Sequence, residues 1–287
     1  MNGLIIVNKE ENMTSRDVVN IISKKFNTKK VGHTGTLDPM AKGVLVVAVN
    51  KATKIIEEIT SLDKEYIAEV TLGISTDTLD ITGNVLKKET PRRVLKEELI
   101  DVLNSFKGKY KMQVPIYSAI KINGKKLYEY ARNNEEVILP IKEVYINEIS
   151  LIDNIIYEED IIKFKFKCNV SKGTYIRSLI RDICLKLNML GTMSDLVRTK
   201  QGNFSIEDSV KLDEIDENTK LISIKDALSL PSIIVDDFLY NKIKNGSKLE
   251  NRYECDKLSF IYNDEVIAIY IVDKNEKTKV KPKKVFI

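Results

Sequence analysis

The sequence contains a single histidine, His33, and three cysteines, Cys168, Cys184 and Cys255. An odd cysteine count with no Cys-x-x-Cys pair argues against a disulfide framework. One histidine is too few for a Cys/His zinc site, so no metal is expected. Long apolar runs are missing too. Nothing approaches the roughly 20 residues of a membrane-spanning helix, and no signal-peptide pattern precedes Leu4-Ile5-Ile6-Val7. A protein of the reducing cytoplasm, without a membrane partner, is the expectation. Internal repeats and low-complexity segments are also absent.

What is present is enough for a substantial core: 287 residues, 43% of them apolar. That suits one large domain, or a large one and a small one. The net charge is only +4, but its distribution is uneven. Residues 21–54 hold seven lysines against Asp38 alone; residues 105–132 hold seven basic residues against Glu129; residues 163–200 hold nine against Asp182 and Asp195. Were these stretches to converge, they would form a face for a polyanion. The alternative is lysines scattered over a solvated surface, and charge alone favours it.

Periodicity outlines the elements. Leu4–Val7 reads as a buried strand, and Thr14 or Ser15 caps a helix with Val18, Val19, Ile22 and Phe26 on one face. A glycine-punctuated loop, 32–43, precedes the apolar strand Val44–Val49. Residues 64–72 alternate as a half-buried strand, and 94–105 read as a helix. A strand is expected from about Tyr117, a helix over Leu127–Arg132, long strands over 137–152 and 161–170, and a helix over 175–189. The mixed order favours an α+β fold on a mixed sheet over a regular doubly wound one. Leu230-Pro231-Ser232 marks a boundary, giving domains 1–230 and 231–287. The second holds a helix over 236–245, stopped by Gly246, and strands over 257–262, 265–272 and 280–287.

Three segments have the makings of chemistry. In Gly32-His33-Thr34-Gly35-Thr36-Leu37-Asp38-Pro39-Met40-Ala41-Lys42-Gly43, the glycines permit backbone conformations closed to other residues, and Pro39 fixes the chain just after a lone acid. A carboxylate displayed rigidly beside a buried strand suits catalysis; an ordinary Asp-Pro turn explains the same letters. In Ser171-Lys172-Gly173-Thr174-Tyr175-Ile176-Arg177, a strand turns into a helix. Arg177 sits at the edge of that helix's apolar face, able to reach a carboxylate or a phosphate. A guanidinium beside a partly desolvated acid would keep it ionised. Spacing alone also allows a solvated arginine. In Val114-Pro115-Ile116-Tyr117-Ser118-Ala119-Ile120-Lys121, followed by Tyr128 and Arg132, lysines interleave with tyrosines, as RNA phosphates and bases require. Tyr117 and Tyr66 are equally plausible as core.

Taken in order, these segments resemble the TruB family of tRNA pseudouridine synthases. The segment 32–45 matches that family's catalytic signature, Lys64-Glu65-Tyr66 its second motif, 114–121 its third and 171–179 its fourth, while 196–204 resembles the end of its catalytic domain. The resemblance covers residues 3 to about 230, and more weakly a tail that is similar to a PUA-like RNA-binding module. Three departures stand out: Glu10 where the family has proline after Lys9, Val114 where it often has proline, and Val197 where a second arginine is common.

The resemblance implies a pseudouridine synthase fold, with a largely antiparallel central sheet flanked by helices. It implies a monomer acting on uridine 55 in the T-arm of tRNA by base flipping, with no cofactor. Asp38 is then the nucleophile, Arg177 its partner, and Tyr66 packs on the base and helps remove the C5 proton. Leu196 lines the uracil pocket, His33 contacts the RNA, and Lys9, Tyr175 and Lys121 are expected to bind substrate. Two other readings remain: a non-catalytic tRNA-binding or folding protein on the same scaffold, and a nucleoside hydrolase using Asp38 with water.

Overall fold

The computed structural model describes residues 1–253 and 255–287. The chain opens with β1 (Gly3–Lys9). Thr14 then caps a helix reciprocally: its hydroxyl accepts the Asp17 N–H, and the Asp17 carboxylate accepts the Thr14 N–H. That starts α1 (Ser15–Lys25), which buries Val18, Val19 and Ile22. β2 (Val31–His33) and β3 (Lys42–Val49) flank the glycine-rich loop, and β4 (Lys64–Leu72) follows. Then come α2 (Lys96–Asn104), β5 (Gly108–Gln113), β6 (Ile141–Tyr157), β7 (Ile162–Val170) and α3 (Ile176–Lys186). β8 (Gly191–Gln201), β9 (Phe204–Ser205) and β10 (Val210–Lys211) complete the large sheet.

Its strand order is β10-β1-β3-β8-β4-β7-β6-β5, with β2 on β3 and β9 on β8. Among the described residues, its parallel pairs are β1 with β10 and β3 with β8. The fold is therefore α+β on a mixed, largely antiparallel sheet. β1 and β3 explain their unbroken apolar runs by being covered on both faces. Ile5, Val7, Leu45 and Val47 enter a core shared with Ile22 of α1 and Leu179, Ile180 and Ile183 of α3. Leu4, Ile6, Val44 and Val46 face the other way, against Ile261, Val266, Ile269 and Phe286.

Ile261, Val266 and Ile269 belong to, and Phe286 directly follows, a second sheet of five strands, in spatial order Ser232–Ile234, Lys257–Tyr262, Glu265–Val272, Lys279–Val285 and Leu249–Glu250. It has a core of its own, including Ile243, Leu258, Phe260, Tyr270 and Val280. Its helix, Asp237–Lys244, ends where Gly246 takes φ +69° and bonds back to the Ile243 carbonyl at 2.9 Å. Among the described residues, no helix is long and apolar enough to cross a membrane.

The second sheet is also tied by charge to the short helix Ile56–Thr60. Glu58, whose side chain is 6% exposed, meets Lys283 at 2.8 Å, Lys284 at 3.1 Å and Lys257 at 3.5 Å. Burial alone would raise its pKa. Hydrogen bonds from Lys283 and Lys284 more than offset that and hold it at about 2. A carboxylate whose pKa is lower in the folded state stabilises the fold above its ordinary 4.5 and loses that contribution as pH falls toward 2. The shift corresponds to about 3 kcal/mol. Glu58→Gln is accordingly expected to lower the unfolding free energy by about 2–3 kcal/mol at neutral pH. The gap to the native protein should close between pH 4.5 and about 2, as read from urea denaturation of both proteins. A gap independent of pH would contradict the ion cluster as its source.

Three elements differ from the sequence reading. Residues 114–120 form no strand from Tyr117; the strand there is β5, which ends at Gln113. The segment leaves the sheet because its carbonyls are used elsewhere: Tyr117 O by Arg177, Ser118 O by Tyr128 N and Ile120 O by Leu127 N. The long strand starts at Ile141 instead of 137 and runs to Tyr157. β8, at the centre of the sheet, escaped notice. Register shifts at Met193/Asp195 and Arg198/Lys200 break its two-residue period, and it buries Thr192, Arg198 and Gln201 instead of an apolar row.

Candidate active site

The loop between β2 and β3 is held at nearly every residue. Thr34 N–H donates to Val46 O at 3.0 Å, and the Gln201 side-chain amide donates to Thr34 O at 3.2 Å. The Ser15 hydroxyl accepts from Leu37 N–H at 2.9 Å, and Arg198 donates to Gly35 O at 3.0 Å. Its own Leu37 and Ala41 are buried. Asp38 O accepts from Ala41 N–H at 3.0 Å, so the Asp-Pro turn and the displayed acid are one structure. Gly32 and Gly35 lack the positive φ expected of them and serve by leaving space: a Cβ on Gly32 would meet Ile56 Cδ1 at 2.7 Å. The positive φ falls at Gly43, +96°, where a Cβ would lie 2.3 Å from Arg198 O across the parallel β3–β8 pair.

The Asp38 side chain, 32% exposed, meets the 7%-exposed side chain of Arg177 in a two-pronged ion pair. Arg177 Nε lies 2.8 Å from Oδ2 and Nη2 3.0 Å from Oδ1. The rest of the fork is occupied: Nη2 donates to Tyr117 O at 3.0 Å and Nη1 to Thr78 O at 2.9 Å, with Asp80 Oδ2 at 3.8 Å. A fully engaged planar guanidinium has no rotational freedom left, so it fixes the carboxylate in place.

This pair opens into a cleft of about 450 Å³. Its lining includes Tyr66, Tyr117, Ser118, Tyr128, Tyr175 and Leu196. The volume lies within the usual range of small-molecule sites. Tyr66 sits on β4 opposite Cys168 of β7 and Arg198 of β8, and Leu196 lies on β8 opposite Ala68. Tyr175 immediately precedes α3; Lys142 lies 5.9 Å over its ring, and burial pushes its phenol pKa up.

Of the eight residues singled out in the sequence, Asp38, Tyr66, Tyr175, Arg177 and Leu196 come together here. His33 stands just outside, at the end of β2, where its Nδ1 accepts the Gly35 N–H at 3.3 Å. Burial, with Arg198 and Arg16 adding to it, lowers its pKa and keeps the ring neutral. Lys121 is exposed on a separate two-stranded hairpin, Lys121–Ile122 with Lys125–Lys126.

Lys9 corrects the sequence reading, because it has no surface to offer a substrate. It is 0% exposed, and its ammonium donates to Met13 O at 2.7 Å, Glu10 O at 2.8 Å and Pro39 O at 3.1 Å. It is a peg under the Asp38 loop, and burial lowers its pKa to about 8. Glu10 leaves that contact intact, since Lys9 uses only its carbonyl. Val114 gains from not being proline: its N–H donates to Pro140 O at 2.9 Å.

Three contributors carried no signal in the sequence reading. Thr78 and Asp80 lie in the turn of a hairpin formed by Ile74–Thr76 and Val85–Lys88, and Leu79 between them is held at φ +64°. A bulky residue rarely adopts that conformation, and here it accompanies a carbonyl aimed at Arg177. The third is Arg198, 1% exposed beneath the loop.

Known proteins with the same chain architecture are numerous. A family profile described as TruB family pseudouridylate synthase (N terminal domain) matches residues 23–176. The chain is 44% identical to tRNA pseudouridine synthase B of Clostridium tetani, over 97% of this chain and 96% of that protein. It is 43% identical to the protein of the same name from Caldanaerobacter subterraneus subsp. tengcongensis, over 100% and 99%. Among solved structures it superposes on a chain of an H/ACA RNP bound to a substrate RNA containing 2′-deoxyuridine, with TM-score 0.71 and 25% identity, covering 99% of this chain and 85% of that one. A chain of a Cbf5-Nop10-Gar1 complex gives 0.69 at the same identity and coverage. A profile across more than half the chain, and relatives across nearly all of it, place this protein in the TruB family of pseudouridylate synthases.

Proposed function

We propose that this enzyme converts uridine 55 in the T loop of tRNA to pseudouridine, with Asp38 as nucleophile and the target base turned out of the loop into the cleft. The observation that carries this is the two-pronged Arg177–Asp38 pair, at 2.8 and 3.0 Å, opening into a cleft with Tyr66 and Leu196 on its walls. The reaction breaks the uridine N1–C1′ bond, turns the uracil, and joins C5 to C1′. The C5 proton leaves to water and the freed N1 takes one up from water, so atoms balance without a donor or oxidant. The chemistry requires a carboxylate held at the sugar or base, and Arg177 holds Asp38 through both of its oxygens.

Tyr66 packs on the base and assists loss of the C5 proton, Leu196 bounds the uracil, and Tyr175 lines its entrance. His33 and Lys121, outside the cleft, contact the RNA that surrounds it. Turning out a base costs a few kcal/mol, which basic contacts to the T-arm offset. Residues 1–230 serve as the catalytic domain and 231–287 as a PUA-like RNA-binding module, in a monomeric cytoplasmic enzyme without a cofactor. The names of the relatives, tRNA pseudouridine synthase B, support tRNA as the substrate.

The test is release of tritium from tRNA labelled at uracil C5, with free uracil measured in the same reaction. One tritium per tRNA and no free uracil is the expected outcome. Free uracil instead would make the protein a hydrolase, and neither product would leave it as an RNA-binding protein.

A further inference from the structure

Beneath the Asp38 loop the charges do not balance. Lys9, Lys64, Arg177 and Arg198 are all buried, at 0, 6, 6 and 1% exposure. Asp38, Asp80 and Asp63 stand near them. Asp38 is engaged by Arg177 through both oxygens, and Asp80 accepts from Thr78 and Thr82. Of the four, only Arg177 pairs directly with a carboxylate, and a buried cation without such a partner is costly unless an anion arrives.

The surplus has an address. Among the described residues, neither Lys64 nor Arg198 meets a carboxylate at ion-pair distance. Lys64 donates to Thr60 O at 2.7 Å and Leu62 O at 2.6 Å, and Arg198 to Val44 O at 2.7 Å and Gly35 O at 3.0 Å. Each keeps donors to spare: the third proton of Lys64 and the Nη1 group of Arg198. Both flank one point over Gly35. The position a Cβ would take there lies 3.4 Å from Arg198 Nη1 and 3.8 Å from Lys64 Cε. Lys64 and Arg198 line the cleft, as does the exposed Lys172.

We infer that Lys64, Arg198 and Lys172 form an anion subsite in the cleft that receives a backbone phosphate of the RNA strand next to the target uridine. The phosphodiester is the one anionic group RNA carries into a cleft, and the bare Gly35 leaves space for it. Lys64 shows the strain of waiting: burial, together with Arg198 and Lys172, lowers its pKa to about 8, against the raising effect of Asp63. This subsite rests on the reading of an RNA substrate given above.

The test uses the full-length protein and a synthetic T-arm stem-loop. That RNA is made with native phosphates, or with a single neutral methylphosphonate at the linkage 5′ or 3′ of the target uridine. Lys64→Met keeps the aliphatic stem and loses the charge. On native RNA it is expected to raise Kd and KM about tenfold, leave kcat within about twofold, and reduce the slope of log Kd against log salt by about one. Lys172→Gln, at an exposed position, should shift affinity and slope in the same direction by less. One methylphosphonate should weaken the native protein equally and add nothing to Lys64→Met. A merely structural role for Lys64 would leave the salt slope unchanged. The subsite is overturned if both variants keep the native slope, or if mutation and methylphosphonate effects multiply independently. Should Lys64→Met fail to fold, Lys172→Gln and the methylphosphonate scan on the native protein decide: no loss at either linkage overturns it. Absence of turnover by the native protein would count against the proposed reaction instead, with the binding arms still reporting on the subsite.

Discussion

Asp38→Asn is expected to reduce turnover on tRNA by on the order of 10⁴-fold or more, while RNA affinity stays within a few fold of native. The substitution is nearly isosteric. The asparagine Oδ1 can still accept from Arg177 Nη2, now at 3.0 Å, so the loop should keep its shape. What goes is the carboxylate, and with it the proposed nucleophile. Other anchors of the loop, Lys9 on Pro39 O and Ser15 on Leu37, do not involve the carboxylate. Single-turnover kinetics at saturating enzyme separate chemistry from binding. Turnover within tenfold of native would remove Asp38 from the reaction.

Arg177→Lys has the second-largest expected effect. Lysine keeps the charge but offers three donors from one nitrogen, where arginine uses a planar fork to hold Asp38 Oδ1 and Oδ2, Tyr117 O and Thr78 O at once. A lysine that reaches Asp38 leaves at least one buried carbonyl unpaired, at a cost of about 1–3 kcal/mol. It also frees the carboxylate to rotate. Turnover is expected to fall about a hundredfold or more, against a loss of affinity under about fivefold, with the unfolding free energy lowered by about 2–3 kcal/mol. Equal losses in affinity and turnover would mean that Arg177 holds phosphate and does not orient Asp38.

Local features were legible in the sequence and non-local ones were not. The apolar runs of β1 and β3, the cap of α1 and the glycine stop at Gly246 are decided within a few residues, and all were read correctly. The edge position of Arg177 on α3 also followed from helical spacing. That its partner is Asp38, 139 residues away, came through resemblance alone. Lys9 was misplaced because a lysine's letter carries no burial: three converging backbone carbonyls make this one internal. β8 was missed because its bulges and buried polar residues erase alternation, although it supplies Leu196, Arg198 and Gln201 to the site. Asp80 and Thr78 were missed for a related reason. Their turn has the composition of any surface loop, and only the packing of the hairpin aims it at Arg177.

The most direct measurement is modification mapping of an unmodified tRNA transcript after reaction, by a method that detects pseudouridine despite its unchanged mass. Native protein and Asp38→Asn should be treated side by side. One pseudouridine, at position 55, is expected with native protein and none with Asp38→Asn. Modification at another position, or an equal signal from both proteins, would contradict the proposed function.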